Sequence, residues 1–229
     1  MLRVAKELNR VPLFAGLSEK QCMDMASFAL IRNAAKGEYF FKPGATGDGL
    51  HIILKGRVKL VRLLPGDREA MLAVLGPGEW FGEELVLGNE NRETGAVALE
   101  ATDYAILPGQ ELMERIKSNA RLSMDILSSL CGKLQEYANC IVMLRECDIC
   151  QRLARYLHDC GARCDADGFF CLEMPKYVLA GYLGAARESV SRCFKSMIES
   201  RLIEMRGRRV RILDKNGLLS LASLGTVFK

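Results

Sequence analysis

The sequence predicts an α+β fold in which an N-terminal antiparallel β domain is followed by one long helix and a small mixed module. The β domain is a barrel, a sandwich or a β-roll of the jelly-roll kind. Two patterns support this class. The first half alternates short β-rich runs with glycines, as antiparallel barrels and rolls do. The second half places apolar residues at helical spacing and ends in a short basic hairpin. We predict three segments: 1–108, 109–145 and 146–229.

This β domain is expected within residues 35–107, where glycines fall mostly between short apolar runs and supply the turns. We interpret 96–107 as one continuous run. The runs are Tyr39–Phe41, 50–54, Val58–Leu64, 70–75 and 96–107.

A regular apolar seam follows in segment 109–145. Its members step by 3, 4, 3, 4 and 3 residues, which in a helix aligns them on one stripe. The alternative is packing against the chain's own β-rich half, but an unbroken repeat of this kind is more typical of a parallel helix pair, so we predict a homodimer. The seam consists of Leu127, Leu130, Leu134, Tyr137, Ile141 and Leu144.

Charge is distributed unevenly along the chain. Residues 1–144 carry 17 Lys+Arg and 18 Asp+Glu, a net charge of −1, whereas residues 145–229 carry 15 and 10, a net charge of +5. The basic part suggests a polyanionic partner, although such a surface can also be merely solvated.

Composition also indicates the cellular compartment. Hydrophobic residues make up 49% of the chain, yet none of the apolar runs approaches the roughly 18 residues of a membrane span. Charged residues interrupt the N-terminus, unlike a signal peptide. We therefore expect a cytoplasmic protein without membrane association, whose nine cysteines are reduced thiols.

Segment 146–229 has the layout of a winged helix-turn-helix. Ala180 lets two helices approach, Gly184 makes the turn, and Val190 faces the first helix. The expected order is a helix over 148–160, a turn at 166–168, a strand over 169–173, a helix that Pro175 opens and that runs to about 183, a helix over about 186–200, and strands over 202–205 and 209–213.

Polar residues gather where such a fold contacts DNA, at the start of the second helix and at the hairpin tip. Arginine can donate two hydrogen bonds to guanine, and glutamate can accept one from cytosine. Glu188 and Arg192 share a helix face, so an intrahelical salt bridge is the alternative interpretation. The candidate DNA-binding residues are Arg187, Glu188, Ser189, Ser191, Arg192, Arg206, Arg208 and Arg209.

Four segments resemble the CRP/FNR family of bacterial transcription regulators. They are 36–44 (KGEYFFKPG), 49–60 (GLHIILKGRVKL), 78–85 (GEWFGEEL) and 187–192 (RESVSR). The resemblance implies a cyclic-nucleotide-binding-like roll, a homodimer, a near-palindromic operator in double-stranded DNA and contact with RNA polymerase. Glu188, Ser191 and Arg192 match the FNR-like reading head, which implies TTGA-type half-sites.

The same resemblance implies an effector pocket in the roll. Members that bind cyclic AMP use a glutamate, an arginine and a following hydroxyl residue; Glu83 and Arg92 match, but Glu93 would place a carboxylate beside the phosphate. Tyr137 and Ala138 replace the hydroxyl residues that hold adenine, so cyclic AMP is not expected. The candidate effector residues are Gly82, Glu83, Glu84, Arg92, Glu93, Thr94 and Tyr137.

Two simpler interpretations of these residues stay open. Arg92 and Glu93 could form only a surface pair, and Glu83 could only cap a turn.

Haem and an iron–sulfur cluster remain open as cofactors. The family's oxygen sensor ligates its cluster through N-terminal cysteines, where this chain has only Cys22, and His51 and His158 do not obviously share one iron. Cysteines around 147–164 could ligate a metal, or could be core thiols, with Cys147 and Cys150 in one helical turn. The metal candidates are Cys147, Cys150, Cys160, Cys164 and His51.

Two other functions compete with gene control. A cyclic-nucleotide-binding module without DNA binding would retain the roll, but it would not need the helix-turn-helix. A thiol redox enzyme would use Cys147 and Cys150, yet a thioredoxin-like βαβ context is missing around them. We therefore expect no enzymatic activity, and the sequence leaves the effector unidentified.

Overall fold

The computed structural model describes residues 2–9, 11–14, 16–66, 68–85 and 91–223. The chain forms two compact units, one up to Leu134 and one from Gln135. Within the described ranges, no helix is both long enough and apolar enough to cross a membrane.

The first unit contains two antiparallel four-stranded sheets, which confirms the predicted β-roll. Its elements are α1 (Leu2–Asn9), α2 (Glu19–Phe28), β1 (Leu30–Ala34), β2 (Tyr39–Phe41), β3 (Gly49–Lys55), β4 (Val58–Leu64), β5 (Arg68–Leu75), β6 (Trp80–Phe81), β7 (Gly95–Ala98), β8 (Thr102–Pro108) and α3 (Gly109–Ser118). The strand orders are β1-β8-β3-β6 and β2-β7-β4-β5.

Strand β3 is buried along most of its length because it supplies both cores of the roll. Leu50 and Ile52 pack with the N-terminal helices, whereas Ile53 joins the other cluster with Val58 and Phe81. This alternation follows from the two-residue period of a strand, which points successive side chains to opposite faces. The roll therefore closes around β3.

The prediction of one continuous run over 96–107 was wrong. The chain forms β7 and β8 instead, and these strands belong to different sheets. Ala98 pairs with Val58 in one sheet, and Thr102 pairs with Ala34 in the other. The intervening residues carry the chain from one sheet to the other, which apolar content alone does not reveal.

The long helix α4 spans Ala120–Glu146, 27 residues. Leu130 packs against the core of the first unit. The alternative interpretation, in which the seam packs against the chain's own β-rich half, therefore applies to this one seam residue. The other five seam residues are exposed on this chain: Leu127, Leu134, Tyr137, Ile141 and Leu144.

The second unit contains the predicted helix-turn-helix and a three-stranded sheet of order β10-β11-β9. Its elements are α5 (Ile149–Cys160), β9 (Phe169–Cys171), α6 (Lys176–Tyr182), α7 (Arg187–Glu199), β10 (Ile203–Arg206), β11 (Arg209–Ile212) and α8 (Lys215–Ala222). β9 is shorter than the predicted strand over 169–173. Pro175 is the residue that caps α6 and not the first helical residue.

Gly184 makes the turn between α6 and α7 with a φ of 61°, in the left-handed region that favours glycine. A Cβ atom at this position would lie 2.9 Å from Cδ2 of Leu144. The turn therefore needs glycine both for its backbone conformation and for its contact with the end of α4.

We predict that Gly184→Ala lowers the free energy of unfolding by about 1–3 kcal/mol, because alanine is strained in the left-handed region. Gly132→Ala is the matched control, since that glycine lies within α4 with open space around it. The control should stabilise the chain by up to about 1 kcal/mol. Calorimetric unfolding measures both, and equal effects of the two substitutions would contradict the role of the turn.

Candidate DNA interface and effector site

The start of α7 presents polar side chains to the surface because its opposite face is apolar. Val190, Phe194 and Met197 are buried and lie on one stripe of the helix. Arg187, Glu188, Ser191 and Arg192 are exposed, and Ser189 is half-buried. The structure therefore gathers the five predicted residues of this helix at one exposed end.

Arg192 pairs within its own helix, but not with the predicted partner. Its Nη2 atom donates a hydrogen bond of 2.9 Å to Oγ of Ser189, and Glu188 is left to solvent. The guanidinium of Arg187 lies 5.4 Å from the ring of Tyr177. The intrahelical salt bridge between Glu188 and Arg192 is not formed, so both charged groups stay available for external hydrogen bonds.

The arginines of the wing are more strongly engaged in the fold than the sequence suggested. Arg206 forms an ion pair of 2.8 Å with Glu204, and Arg208 donates 2.8 Å to the carbonyl of Leu172. Arg209 donates 2.5 Å to Asp165. The register of the small sheet places β11 between β9 and β10, which brings these partners alongside.

Asp165 is the anchor of that arrangement. The backbone N–H of Phe169, together with Arg209, holds the pKa of the Asp165 carboxyl below its ordinary value. The carboxylate thus both closes the turn before β9 and binds Arg209 beside the tip of the wing hairpin.

Arg92 lies buried in the roll, not on its surface. Its Nη2 atom donates 3.0 Å to Oδ1 of Asp48 and 3.3 Å to the carbonyl of Gly49. The guanidinium also stacks 3.6 Å from the centroid of the Phe41 ring. Burial lowers the pKa of Arg92, while the carboxylates of Glu84 and Asp48 oppose that shift.

Gly82 is what makes room for this arginine. Its φ is 87°, and a Cβ atom would lie 2.5 Å from Nη1 of Arg92. Nη1 and Nε are buried and have no hydrogen-bond partner in the structure. The N–H groups of two nitrogens therefore remain for an acceptor in a site where an unpaired polar group is costly.

Glu93 turns away from this site. It pairs with Arg62 at 2.5 Å on the exterior, so neither the surface pair with Arg92 nor a carboxylate from Glu93 beside the guanidinium is formed. Thr94 lies inside, where its hydroxyl donates 3.3 Å to Glu84. Tyr137 belongs to the second unit and is 44% exposed.

Glu83 contacts the middle of the long helix and does more than cap a turn. Lys133 of α4 donates 3.0 Å to the Glu83 carboxylate and 2.8 Å to the carbonyl of Trp80. Its ammonium lies 3.3 Å from the centroid of the Trp80 ring. Burial lowers the pKa of Lys133 and Glu83 opposes the shift, so the pair is a partly desolvated ion pair.

Sequence reasoning missed the partners of Arg92. Asp48 precedes β3 and Phe41 ends β2, so neither stood near the arginine in the sequence. Lys133 of α4 lies between two apolar seam residues, so the heptad pattern did not identify it as a partner of Glu83. A lone lysine between Leu130 and Leu134 was the one available signal, since a charge beside a seam needs a partner.

The expectation that all cysteines are reduced thiols was wrong for one pair. Cys150 forms a disulfide with Cys193, so it is not available as a metal ligand. Cys147 precedes the capping residue Asp148, and therefore does not share a helical turn with Cys150. Among the residues that the structure describes, no three His, Cys, Asp or Glu side chains are placed to hold a metal ion.

The remaining metal candidates are therefore not assembled into a site. Cys147 and Cys160 are buried and lie outside the disulfide, and Cys164 contacts the carbonyl of Gly161 at 2.8 Å. His51 is enclosed by Phe81 and Tyr104, whose rings stack on it.

His51 also offers no room for a haem. Its Nε2 atom faces Asp48 at 3.5 Å. Its Nδ1 atom faces the backbone at Gly82, where a Cβ atom would be only 3.2 Å away. The residues present do not fit a haem ligated by His51.

Two domain families match this chain. The cyclic nucleotide-binding domain matches residues 31–119, and the Crp-like helix-turn-helix domain matches residues 151–221. The first contains Arg92 and Glu83, and the second contains the exposed end of α7. The combination defines a class of protein with a ligand-binding roll and a DNA-binding domain.

Individual relatives agree with this class. The chain is 29% identical to the transcriptional activator protein FnrA of Stutzerimonas stutzeri, over 83% of this chain and 80% of that protein. It is 28% identical to the cyclic AMP receptor protein of Thermus thermophilus, over 85% and 88%. The solved structure of FixK2 from Bradyrhizobium japonicum superimposes with a TM-score of 0.76 at 20% identity, covering 85% and 98%. The chain therefore belongs to the CRP/FNR family of DNA-binding transcription regulators.

We predict that Arg92→Ala lowers the free energy of unfolding of the first unit by about 2–4 kcal/mol, because it leaves a cavity beside Phe41 and unpairs Asp48. Arg62→Ala removes only the exposed pair with Glu93 and should cost less than about 1 kcal/mol. Trp80, the only tryptophan, reports unfolding of this unit in urea through its fluorescence. A similar loss in both variants would show that Arg92 is not a buried structural charge.

Proposed function

We propose that this chain is a cytoplasmic homodimer that binds a near-palindromic DNA operator through α7 and is controlled by a signal received in the β-roll. The observation that carries the proposal is the exposed polar start of α7 on a buried apolar face. A helix of this design enters the major groove with its N-terminal residues toward the base edges. The chain functions through binding and conformational change, and we propose no catalytic reaction for it.

Arg192 and Glu188 are the proposed base-reading residues. Neither charge is neutralised by the other, so a guanidinium donor and a carboxylate acceptor reach the surface from the same helix face. Ser189 holds the Arg192 side chain, which limits the rotamer freedom that would be lost on binding. TTGA-type half-sites are proposed because Glu188, Ser191 and Arg192 resemble the FNR-like reading head.

The wing is proposed to contact the DNA backbone. Arg206, Arg208 and Arg209 each have a partner within the fold, but an arginine has five N–H donors and can also contact phosphate. Their partners set the position of the hairpin, which suits contacts that orient a protein on DNA without reading its sequence.

Dimerisation is proposed to occur through α4. Five exposed apolar residues at heptad spacing form a stripe on α4. Exposure of this apolar surface to water is unfavourable, and a second copy of the chain would cover it. A two-fold pair would place two copies of α7 in successive major grooves, about 34 Å apart. Regulators of this family bind DNA and usually act as dimers. Contact with RNA polymerase is proposed from the family resemblance.

The roll is proposed to be the sensor, with Arg92 at its centre. Asp48 already supplies a carboxylate to Arg92, so an anionic effector would have to compete with an internal anion. The relatives named above include both a cyclic AMP receptor and an FNR-type activator, and the effector therefore does not follow from similarity. We do not propose cyclic AMP as the effector.

We predict that Arg192→Ala abolishes discrimination at the guanine of a TTGA half-site. The loss should be about 1–3 kcal/mol, because one good base contact carries that much discrimination. Lys195→Ala, one turn further along α7 and paired with Glu199, is the matched control and should keep the parent's discrimination. Fluorescence anisotropy with duplexes that carry or lack the guanine measures both.

Retained discrimination in Arg192→Ala would contradict the proposed reading residue. Equal binding of operator and scrambled duplex by the parent chain would favour the alternative, a ligand-binding module without sequence-specific DNA recognition.

We predict that Leu134→Glu converts the dimer into monomers and weakens operator binding, because it would bury one charge from each helix in the seam. Gln135→Glu introduces the same charge one residue away, outside the seam, and should leave the dimer intact. Sedimentation velocity distinguishes the two states, and an unchanged dimer in Leu134→Glu would place the interface elsewhere.

A further inference from the structure

A single covalent bond joins the proposed reading helix to the beginning of the DNA-binding domain. Cys150 lies in the first turn of α5, and Cys193 lies on α7 directly after Arg192. Their Cα atoms are 5.3 Å apart, within the range that a disulfide spans without backbone movement. The other seven cysteines are not disulfide-bonded.

The position of this bond connects three functional parts of the second unit. Asp148 caps α5 and lies two residues after the end of α4, so Cys150 lies near the junction with the long helix. The bond closes the chain from 150 to 193, which contains β9, α6 and the turn at Gly184. Oxidation therefore ties α7 to the element that follows the dimerisation helix.

We propose that Cys150 and Cys193 form a reversible thiol–disulfide site that controls DNA binding. The oxidised pair holds α7 against α5 in the orientation that presents Arg192, and the reduced pair lets α7 move. This inference rests on the proposed function of α7 in reading DNA. It adds an oxidation signal received in the DNA-binding domain itself, independent of the β-roll.

We expect the oxidised chain to bind the operator more tightly than the reduced chain, because a preorganised helix loses less conformational freedom when it binds. The fold itself does not need the bond. Cys193 is buried beside Val190 and Phe194, and a reduced cysteine packs there as a small apolar side chain. Reduction should therefore leave the domain folded and change mainly the freedom of α7.

Access to the bond differs between its two ends. Cys150 is half-buried, whereas Cys193 is only 6% exposed. An external thiolate reaches the Cys150 sulfur, breaks the S–S bond and releases Cys193 as a thiolate, which takes up a proton. A second external thiol then displaces Cys150, so two electrons and two protons pass to the pair and the external dithiol becomes a disulfide.

The reverse reaction uses a small-molecule or protein disulfide as the oxidant. The Cys150 thiolate attacks it and forms a mixed disulfide, and Cys193 displaces the remaining external thiol. In a reducing compartment such a bond persists only after an oxidising signal, which is typical of redox-sensing cysteines.

The first test establishes the bond without DNA. The full chain is treated with oxidised glutathione or with dithiothreitol, free thiols are labelled, and peptides are mapped by mass spectrometry. Hydrogen exchange of the amides in 187–199 is compared between the two states. We expect a Cys150–Cys193 linkage after oxidation and faster exchange in α7 after reduction.

The second test measures operator binding in the two states. The probe is a duplex with two inverted TTGA half-sites, and a scrambled duplex of the same length measures non-specific binding. We expect the Kd for the operator to rise about 5- to 150-fold on reduction, the range of typical allosteric coupling. The Kd for the scrambled duplex should change little, because it depends mainly on phosphate contacts.

Variants separate this bond from general oxidation. Cys150→Ser and Cys193→Ala should both have the reduced-state affinity and no response to oxidised glutathione; the alanine avoids burying a hydroxyl. Cys171→Ser removes an exposed free thiol of the same domain and is the matched control, with the parent's full response.

Each other outcome overturns the inference. One is a disulfide other than Cys150–Cys193, such as Cys147–Cys150. The others are equal hydrogen exchange of α7 in the oxidised and reduced chain, or equal operator affinity of the two. If neither state prefers the operator over the scrambled duplex, the proposed function fails as well. Equal, tight operator binding in both states leaves that function standing and overturns only the redox control.

Discussion

Packing of one apolar stripe on α7 determines what this molecule can present to DNA. Val190, Phe194 and Met197 are buried, and the helical period then directs Arg192 and Glu188 outward. The same stripe includes Cys193, so the orientation of the proposed reading residues and the disulfide depend on one face of one helix. A change that turned α7 by a few tens of degrees would bury polar groups and expose apolar ones together.

The end of α4 contacts the turn that begins α7. Leu144, the last seam residue, lies so close to Gly184 that a Cβ atom there would overlap with its side chain. Elsewhere, an open cavity of about 710 Å³ separates α4 from α5 and the end of α6, and its lining includes Arg152, Tyr156 and Leu183. In the proposed mechanism, this tight contact beside an open space would let α4 move α7 without repacking a dense core.

Patterns that depend on local spacing were predictable from the sequence, and contacts between distant segments were not. Heptad spacing predicted α4, and the glycine between two amphipathic segments predicted the helix-turn-helix. Arg92 was identified by resemblance, yet its burial against Asp48 depends on strands distant in sequence. The disulfide was missed for the same reason, because Cys150 and Cys193 are 43 residues apart and spacing alone drew attention to Cys147 instead.

The buried arginine of the roll constrains any signal that acts there. A guanidinium in an apolar site needs an anion, and Asp48, aided by Glu84, supplies one in this structure. A ligand that contacts Arg92 gains most from the two donor nitrogens that Asp48 leaves unpaired, Nη1 and Nε. Their N–H groups point to different sides of the guanidinium and need separate acceptor atoms, which favours a ligand of more than one oxygen over a single carbonyl group.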